Sequence, residues 1–197
     1  TWLPRLVAEL SRRYPRLAVE LTVDLSRDLR ARLADGDLDI AFLVGPAPGP
    51  EFEEIPFGQV RNAWMASPAL GLGGRRLSPR ELAAHAVLTH SRGSHLHRVV
   101  ARWFADAGVR GLRIHGCNSL ATMMEMTAAG LGVCLLSPDL ARARHGRGLE
   151  VLDARPAVAP TRFACIHAGG GPGGLNAAIA RIARREMARE PCFRPWR

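Results

Sequence analysis

Leu3, Leu6, Val7, Leu10 and Tyr14 recur at the three-and-four spacing of one helical face, with Pro4 in the first turn. Residues 18–23 then alternate apolar and polar, the pattern of a half-buried strand. Ser26 reads as the cap of a second helix that buries Leu29 and Leu33 and stops at Gly36, and residues 38–44 read as the next strand. The run 45–50, rich in glycine and proline, fits neither helix nor sheet interior. Short strands follow at 53–57 and 62–66. Ser78, Pro79 and Glu81 then open a helix with the spacing of a capping box. A strand at 86–90, a turn at 91–94, a helix at 95–105 closed by Gly108 and a strand at 112–115 repeat the alternation.

Residues 118–138 are the most informative. Asn118 or Ser119 supplies a cap oxygen, and Leu120, Met123, Met124 and Met126 mark a buried face. Gly130 or Gly132 ends the helix, and 133–136 is a wholly apolar strand of the kind covered on both faces. One more helix and strand lie at 140–144 and 149–152, and 161–167 carries the chain back. A closing amphipathic helix at 175–189 presents Leu175, Ile179, Ile182, Ala183 and Met187. Strands alternating with helices make this an α/β chain with mostly parallel sheets and ligand sites beyond the strands' carboxyl ends. The order implies two Rossmann-like lobes joined by two crossover segments: lobe I from 1–58 plus 165–197, lobe II from 60–163.

Two of these stretches resemble the effector-binding domain of the LysR-type transcriptional regulators. Residues 118–138 are similar to the family's "sLe-aaGlGvallP" segment, and residues 3–44 to its opening "LPrLlaeF-rryP-v-vel…s-eL…L-dGelDlal". The resemblance covers roughly residues 1–190. It implies a periplasmic-binding-protein type II-like fold that takes a small-molecule effector, often a carboxylate, between its lobes. In the family the effector faces the position of Ser26 on the first lobe, with the loop residues Gly45 and Pro46 lining the rim. On the second it faces the turn of Ser91, Arg92, Gly93 and Ser94, and the segment around Cys117, Asn118 and Ser119. Arg61 and Thr161 correspond to the hinge crossings. The resemblance also implies a homodimer or higher homo-oligomer in which the first helix meets the helix 95–105 of a partner, with Leu6, Leu10, Val99 and Trp103 as candidates. A buried helix face within one lobe would look the same. The family's first strand has no counterpart after Thr1, so the contact its loop supplies is not assigned. A chain that starts at Thr1 rather than Met reads as processed or truncated, and promoter DNA is expected to be met only through an N-terminal region absent here.

Helix N-termini favour anions, so Ser26, the 91–94 turn and Asn118–Ser119 suit a carboxylate. The plainer alternative makes Ser26 and Ser119 caps only, each worth about 1 kcal/mol. Arg92 has the bidentate fork for a carboxylate, although solvated loop arginines are commoner.

Composition mainly excludes. The net charge of +9 comes from 27 basic residues that are all arginine and are scattered over helix faces, so base reading by this chain is not expected. Without lysine there is no Schiff-base chemistry, and neither a Gly-x-Ser-x-Gly elbow nor a phosphate-loop motif is present. His95 and His97 point to different faces without a third ligand, so neither metal nor cofactor is expected, nor is enzymatic activity. His90 reads as a structural histidine or a pH-sensitive contact. The glycine run 169–174 lacks a dinucleotide fingerprint and reads as a connector. Cysteines 117, 134, 165 and 192 have no metal or CxxC spacing and read as reduced thiols; a redox pair of Cys117 with Cys134 is the sharper alternative. No apolar run is long enough to span a bilayer and no secretory signal opens the chain, which points to a cytoplasmic regulator. The alternative is a periplasmic solute-binding protein of a transporter, which would share the bilobed fold.

Overall fold

The computed structural model describes residues 2–145, 148–169 and 174–195. In chain order its elements are α1 (Leu3–Arg13), α2 (Ser26–Ala34), β1 (Ile40–Leu43), β2 (Phe52–Val60), β3 (Ala63–Ala66), β4 (Arg76–Leu77), α3 (Pro79–Ala83), β5 (Val87–His90), α4 (His95–Asp106) and β6 (Ile114–Cys117). They continue with α5 (Leu120–Ala128), β7 (Val133–Leu136), α6 (Pro138–His145), β8 (Glu150–Val151), β9 (Asp153–Ala154), β10 (Thr161–Ala168), α7 (Leu175–Met187) and β11 (Phe193–Arg194). The chain forms two units, Thr1–Val60 with Thr161–Arg197, and Arg61–Pro160. The return falls at Thr161 rather than at 165 because β10 pairs with β2 along its whole length, from Thr161 opposite Val60 to Ala168 opposite Phe52. Residues 170–173 of the glycine run lie outside the described residues.

Unit 1 is built on a sheet of order β1-β10-β2-β11 whose neighbours are all antiparallel, not parallel as the alternation of elements implied. The missing parallel strand is the segment 18–23. Its alternation is real, but among the described residues it joins no ladder, and Val19, Leu21 and Val23 remain exposed. Alternation marks a two-faced segment; it does not supply a partner. One face of the sheet packs Phe57 and Cys165 against Trp2, Leu6 and Leu10 of the first helix region and Ala180, Ile182, Ala183 and Met187 of α7. Trp2, Phe42 and Phe57 form an aromatic cluster with centroids 4.7–5.1 Å apart. The other face buries Ala41, Leu43, Ala164 and Ile166 beneath Leu33 of α2. Leu175, expected on the buried face of α7, is exposed, because it stands at the helix's first turn. Glu186 is buried and held by Arg5, Arg185 and Arg189, an arrangement that supplies the counter-charge a buried carboxylate requires.

Unit 2 is a sheet of order β6-β5-β7-β3-β8. Here β5 runs parallel to both β6 and β7, while β3 is antiparallel to β7 and β8. Strand β7 is buried at every position, as its apolar run predicted. Val133 and Leu135 pack with Trp64 and Val87 against Val100, Trp103 and Phe104 of α4. Cys134 and Leu136 pack with Met65 and Leu88 against Met123 and Met124 of α5, so these methionines are core. The expected capping box at Ser78 is present: its hydroxyl accepts from the Glu81 N–H at 3.4 Å and the Glu81 carboxylate accepts from the Ser78 N–H at 2.8 Å. Those Ser78 bonds, with Arg75 added, hold the Glu81 carboxyl at about 2.

The two glycines that close the α5–β7 turn do different work. Gly130 takes the left-handed conformation, φ 79°, that ends the helix. Gly132 lets β7 dock: a Cβ there would lie 2.2 Å from the carbonyl oxygen of Ala86, the group that accepts the Val133 N–H. Backbone cannot yield as a side-chain tip can, so Gly132→Ala is expected to destabilise by roughly 1–3 kcal/mol, seen as a fall in Tm of about 5 °C. Gly116→Ala, where a Cβ meets nothing within 4 Å, is the control and should leave Tm nearly unchanged. Equal effects would contradict the docking role.

Candidate functional site

Parallel pairing places His90 opposite Cys117, so the turns that follow β5 and β6 leave the sheet side by side. Each leads into a helix, and a parallel sheet's carboxyl edge is where such folds take ligands. Ser94 caps α4, its hydroxyl accepting from the His97 N–H at 3.0 Å, and is itself buried. Gly93, with φ 87°, closes the turn so that the Ser94 N–H reaches the Ser91 carbonyl at 3.1 Å. The Gly93 carbonyl accepts from Arg98 at 2.7 Å. Ser119 caps α5, accepting from the Thr122 N–H at 3.2 Å and its hydroxyl at 3.1 Å. The Cys117 sulfur accepts from the Ser119 N–H at 3.4 Å, which fixes the bend through Asn118. Asn118 and Arg92 are exposed, and neither has a partner among the described residues.

Sequence reasoning missed the feature that distinguishes this edge from an ordinary pair of capped helices. Thr89 is 1% exposed and its hydroxyl has no partner; Nδ1 of His90 and Nδ1 of His97 are also buried and unpartnered. All three lie in the stretch from the end of β5 to the first turn of α4; the other such atoms, on Trp64, Glu150 and His167, lie on β3, β8 and β10. Buried polar atoms are nearly always satisfied by protein, water or ligand. Thr89 sits in a run that reads as plain strand, so nothing in its spacing distinguished it from its neighbours.

In unit 1 the structure changes the role of Ser26. It is the first residue of α2, not its cap, and its hydroxyl accepts from the Val44 N–H at 3.1 Å. Four residues on, Arg30 donates to the carbonyls of Val44 and Pro46, both at 2.8 Å. Gly45, φ 103°, leaves the room: a Cβ there would lie 2.5 Å from the Arg30 guanidinium. Ser26, Gly45 and Pro46 are thus brought together, with Arg30, whose partners lie fourteen and sixteen residues away, as the clamp.

The expected crossings, Arg61 and Thr161, are the first residues after the two unit boundaries; Arg61 is exposed and Thr161 buried. Beside Arg61, Asn62 donates to the Ala159 carbonyl at 2.8 Å. Of the interface candidates, Leu6, Leu10 and Trp103 lie in the cores of their own units, and the Trp103 indole N–H donates to the Pro156 carbonyl at 2.8 Å. Val99 alone of the four keeps substantial accessible surface. All four cysteines are free. Burial pushes the thiols of Cys134 and Cys165 up to about 12, which makes Cys134 a poor redox partner for Cys117. Among the described residues no cluster of three metal-ligating side chains occurs, and no helix is long and apolar enough to cross a membrane.

The sequence profile of the LysR substrate binding domain matches residues 1–187. The chain belongs to this family. Among curated relatives, the HTH-type transcriptional regulator BbuR of Bordetella bronchiseptica is 30% identical over 137 residues, which is 68% of this chain and 42% of that protein. CzcR of Bacillus subtilis, also an HTH-type transcriptional regulator, is 22% identical over 134 residues, 68% of this chain and 44% of that protein. The chain therefore spans less than half the length of these regulators. Among solved structures, the regulatory domain of Synechocystis CcmR in complex with 2-PG superposes with a TM-score of 0.78 at 21% identity, covering 96% of this chain and 91% of that one. The regulatory domain of MetR from N. meningitidis gives 0.79 at 9% identity, covering 100% and 93%. The fold is that of the LysR regulatory domain, type II periplasmic-binding-protein-like, and the relatives are transcriptional regulators rather than enzymes.

His95, the first residue of α4, offers a check on this edge that needs no ligand. Burial, and then the charge of Arg98, hold its pKa below 6.5. The unfolded chain then binds the proton first as pH falls below about 6.5, so stability drops through that window until the folded state also protonates. Denaturant titrations from pH 7.5 to 5 should show a shallower loss in His95→Gln than in the parent. An unchanged slope would contradict this environment.

Proposed function

We propose that this LysR regulatory domain senses a small anionic metabolite at the carboxyl edge of β5 and β6. The observation that carries the reading is the set of unpartnered buried atoms on Thr89, His90 and His97, beside two capped helix N-termini. The N–H groups and dipole of α4 and α5 favour negative charge, Arg92 supplies a fork for a carboxylate or phosphate, and Asn118 supplies an amide. Bound 2-PG in the CcmR regulatory domain supports a small-molecule ligand for this class of domain.

Binding shifts the population of arrangements available at the crossings Arg61 and Thr161. We further propose that the domain works as a homodimer or higher oligomer through α1 and α4, Val99 among the contacts, and that the signal reaches promoter DNA through a helix-turn-helix region outside this chain. A cytoplasmic location follows from that role.

A thermal-shift screen of small carboxylates and phosphorylated acids tests the site. At a hundredfold excess over Kd a true ligand adds about 2.7 kcal/mol, a Tm rise of roughly 5–10 °C. Thr89→Val is the sharpest variant, because replacing an unsatisfied buried hydroxyl should leave the unliganded protein at least as stable while reducing the ligand's shift. Ser94→Ala and Asn118→Ala should also reduce it. A full shift retained in all three would overturn the site.

A further inference from the structure

Unit 1 carries a cavity of about 720 Å³ between the carboxyl-terminal half of α7 and the β2–β11 edge. That volume lies within the range of small-molecule sites. Its apolar wall is Phe57, Met187 and Phe193, and the last two lie directly on the bare backbone of Gly58: a Cβ there would come 2.7 Å from the methyl of Met187 and 3.2 Å from the ring of Phe193. Four arginines line it: Arg181, Arg184, Arg185 and Arg194. The charge of Arg185 is already answered by Glu9 at 3.0 Å and Glu186 at 3.3 Å. Arg184 and Arg194 are exposed and, among the described residues, their guanidinium groups have no acidic or hydrogen-bonding partner. Among the described residues, no acidic side chain lines the cavity. Such an apolar wall with two unanswered guanidinium groups at its rim matches one chemistry, an apolar chain or ring ending in an acid group.

We infer that this cavity is a second ligand site, for an amphipathic carboxylate whose apolar part lies on Phe57, Met187 and Phe193 and whose acid pairs with Arg184 and Arg194. It shares no residue with the edge of β5 and β6, so either site can fail without the other. Decanoate is the probe, with decanol and acetate as its uncharged and its chainless counterparts, each titrated calorimetrically into the 197-residue chain. Decanoate should bind saturably and displace the methyl resonance of Met187, with decanol and acetate weaker by about tenfold or more. The double variant Arg184→Gln, Arg194→Gln, both exposed and outside the core, should keep the parent Tm and weaken decanoate by at least about tenfold. Met187→Ala, which removes part of the apolar wall, should weaken decanoate and decanol alike. No saturable binding of decanoate, equal binding of decanol or acetate, or full affinity in the double variant would overturn the assignment.

Discussion

Parallel pairing of β5 with β6 and β7 is the constraint from which the rest of unit 2 follows. Val87 lies opposite Ile114 on one side and Val133 on the other, and the Val87 N–H and Ala86 carbonyl reach across to Arg113 and Val133 at 2.8 Å. That register sends alternate residues of β5 to opposite cores, Val87 toward α4 and Leu88 toward α5. It also brings the exits at His90 and Cys117 together. A slip of one residue would exchange the two faces and bury the wrong side chains. Gly132 secures the register by permitting backbone contact that no side chain would allow.

The same packing that holds the strand in place leaves polar atoms stranded at its end. Thr89 follows Val87 by two, so the pleat turns it toward the α4 side of the sheet, where its hydroxyl is enclosed without a partner. His97 meets the same fate one helical turn into α4. An apolar residue at 89 would fit the core at lower cost. Unit 1 shows the contrasting case: Ser26 and Arg30 spend their hydrogen bonds shaping the turn at Gly45 and Pro46.

Much of this was legible in the sequence where one pattern had one physical solution. The apolar run 133–136 had to be a covered strand, Ser78 with Glu81 had to be a capping box, and Ser94 and Ser119 do cap their helices. Legibility ended where a pattern needed a partner elsewhere in the chain. Residues 18–23 alternate but meet no neighbouring strand among the described residues, so unit 1 is antiparallel. Ser26 looked like a cap because serine before an apolar helix usually is one, yet its hydroxyl reaches Val44 across eighteen residues. Leu6, Leu10 and Trp103 have the spacing of either an interface or a core, and burial within a single chain places them in cores. Thr89 and Arg30 were invisible for the same reason: burial and long-range bonds define them, not spacing.

The proposed ligand meets the protein at the amino ends of α4 and α5. Amide NMR of the chain, titrated with an acid that raises its Tm, tests it most directly. The largest shifts are expected on Ser94, His97, Ser119 and Thr122, together with the side-chain nitrogens of His90 and His97. A binding acid that leaves those signals in place and moves others would contradict it.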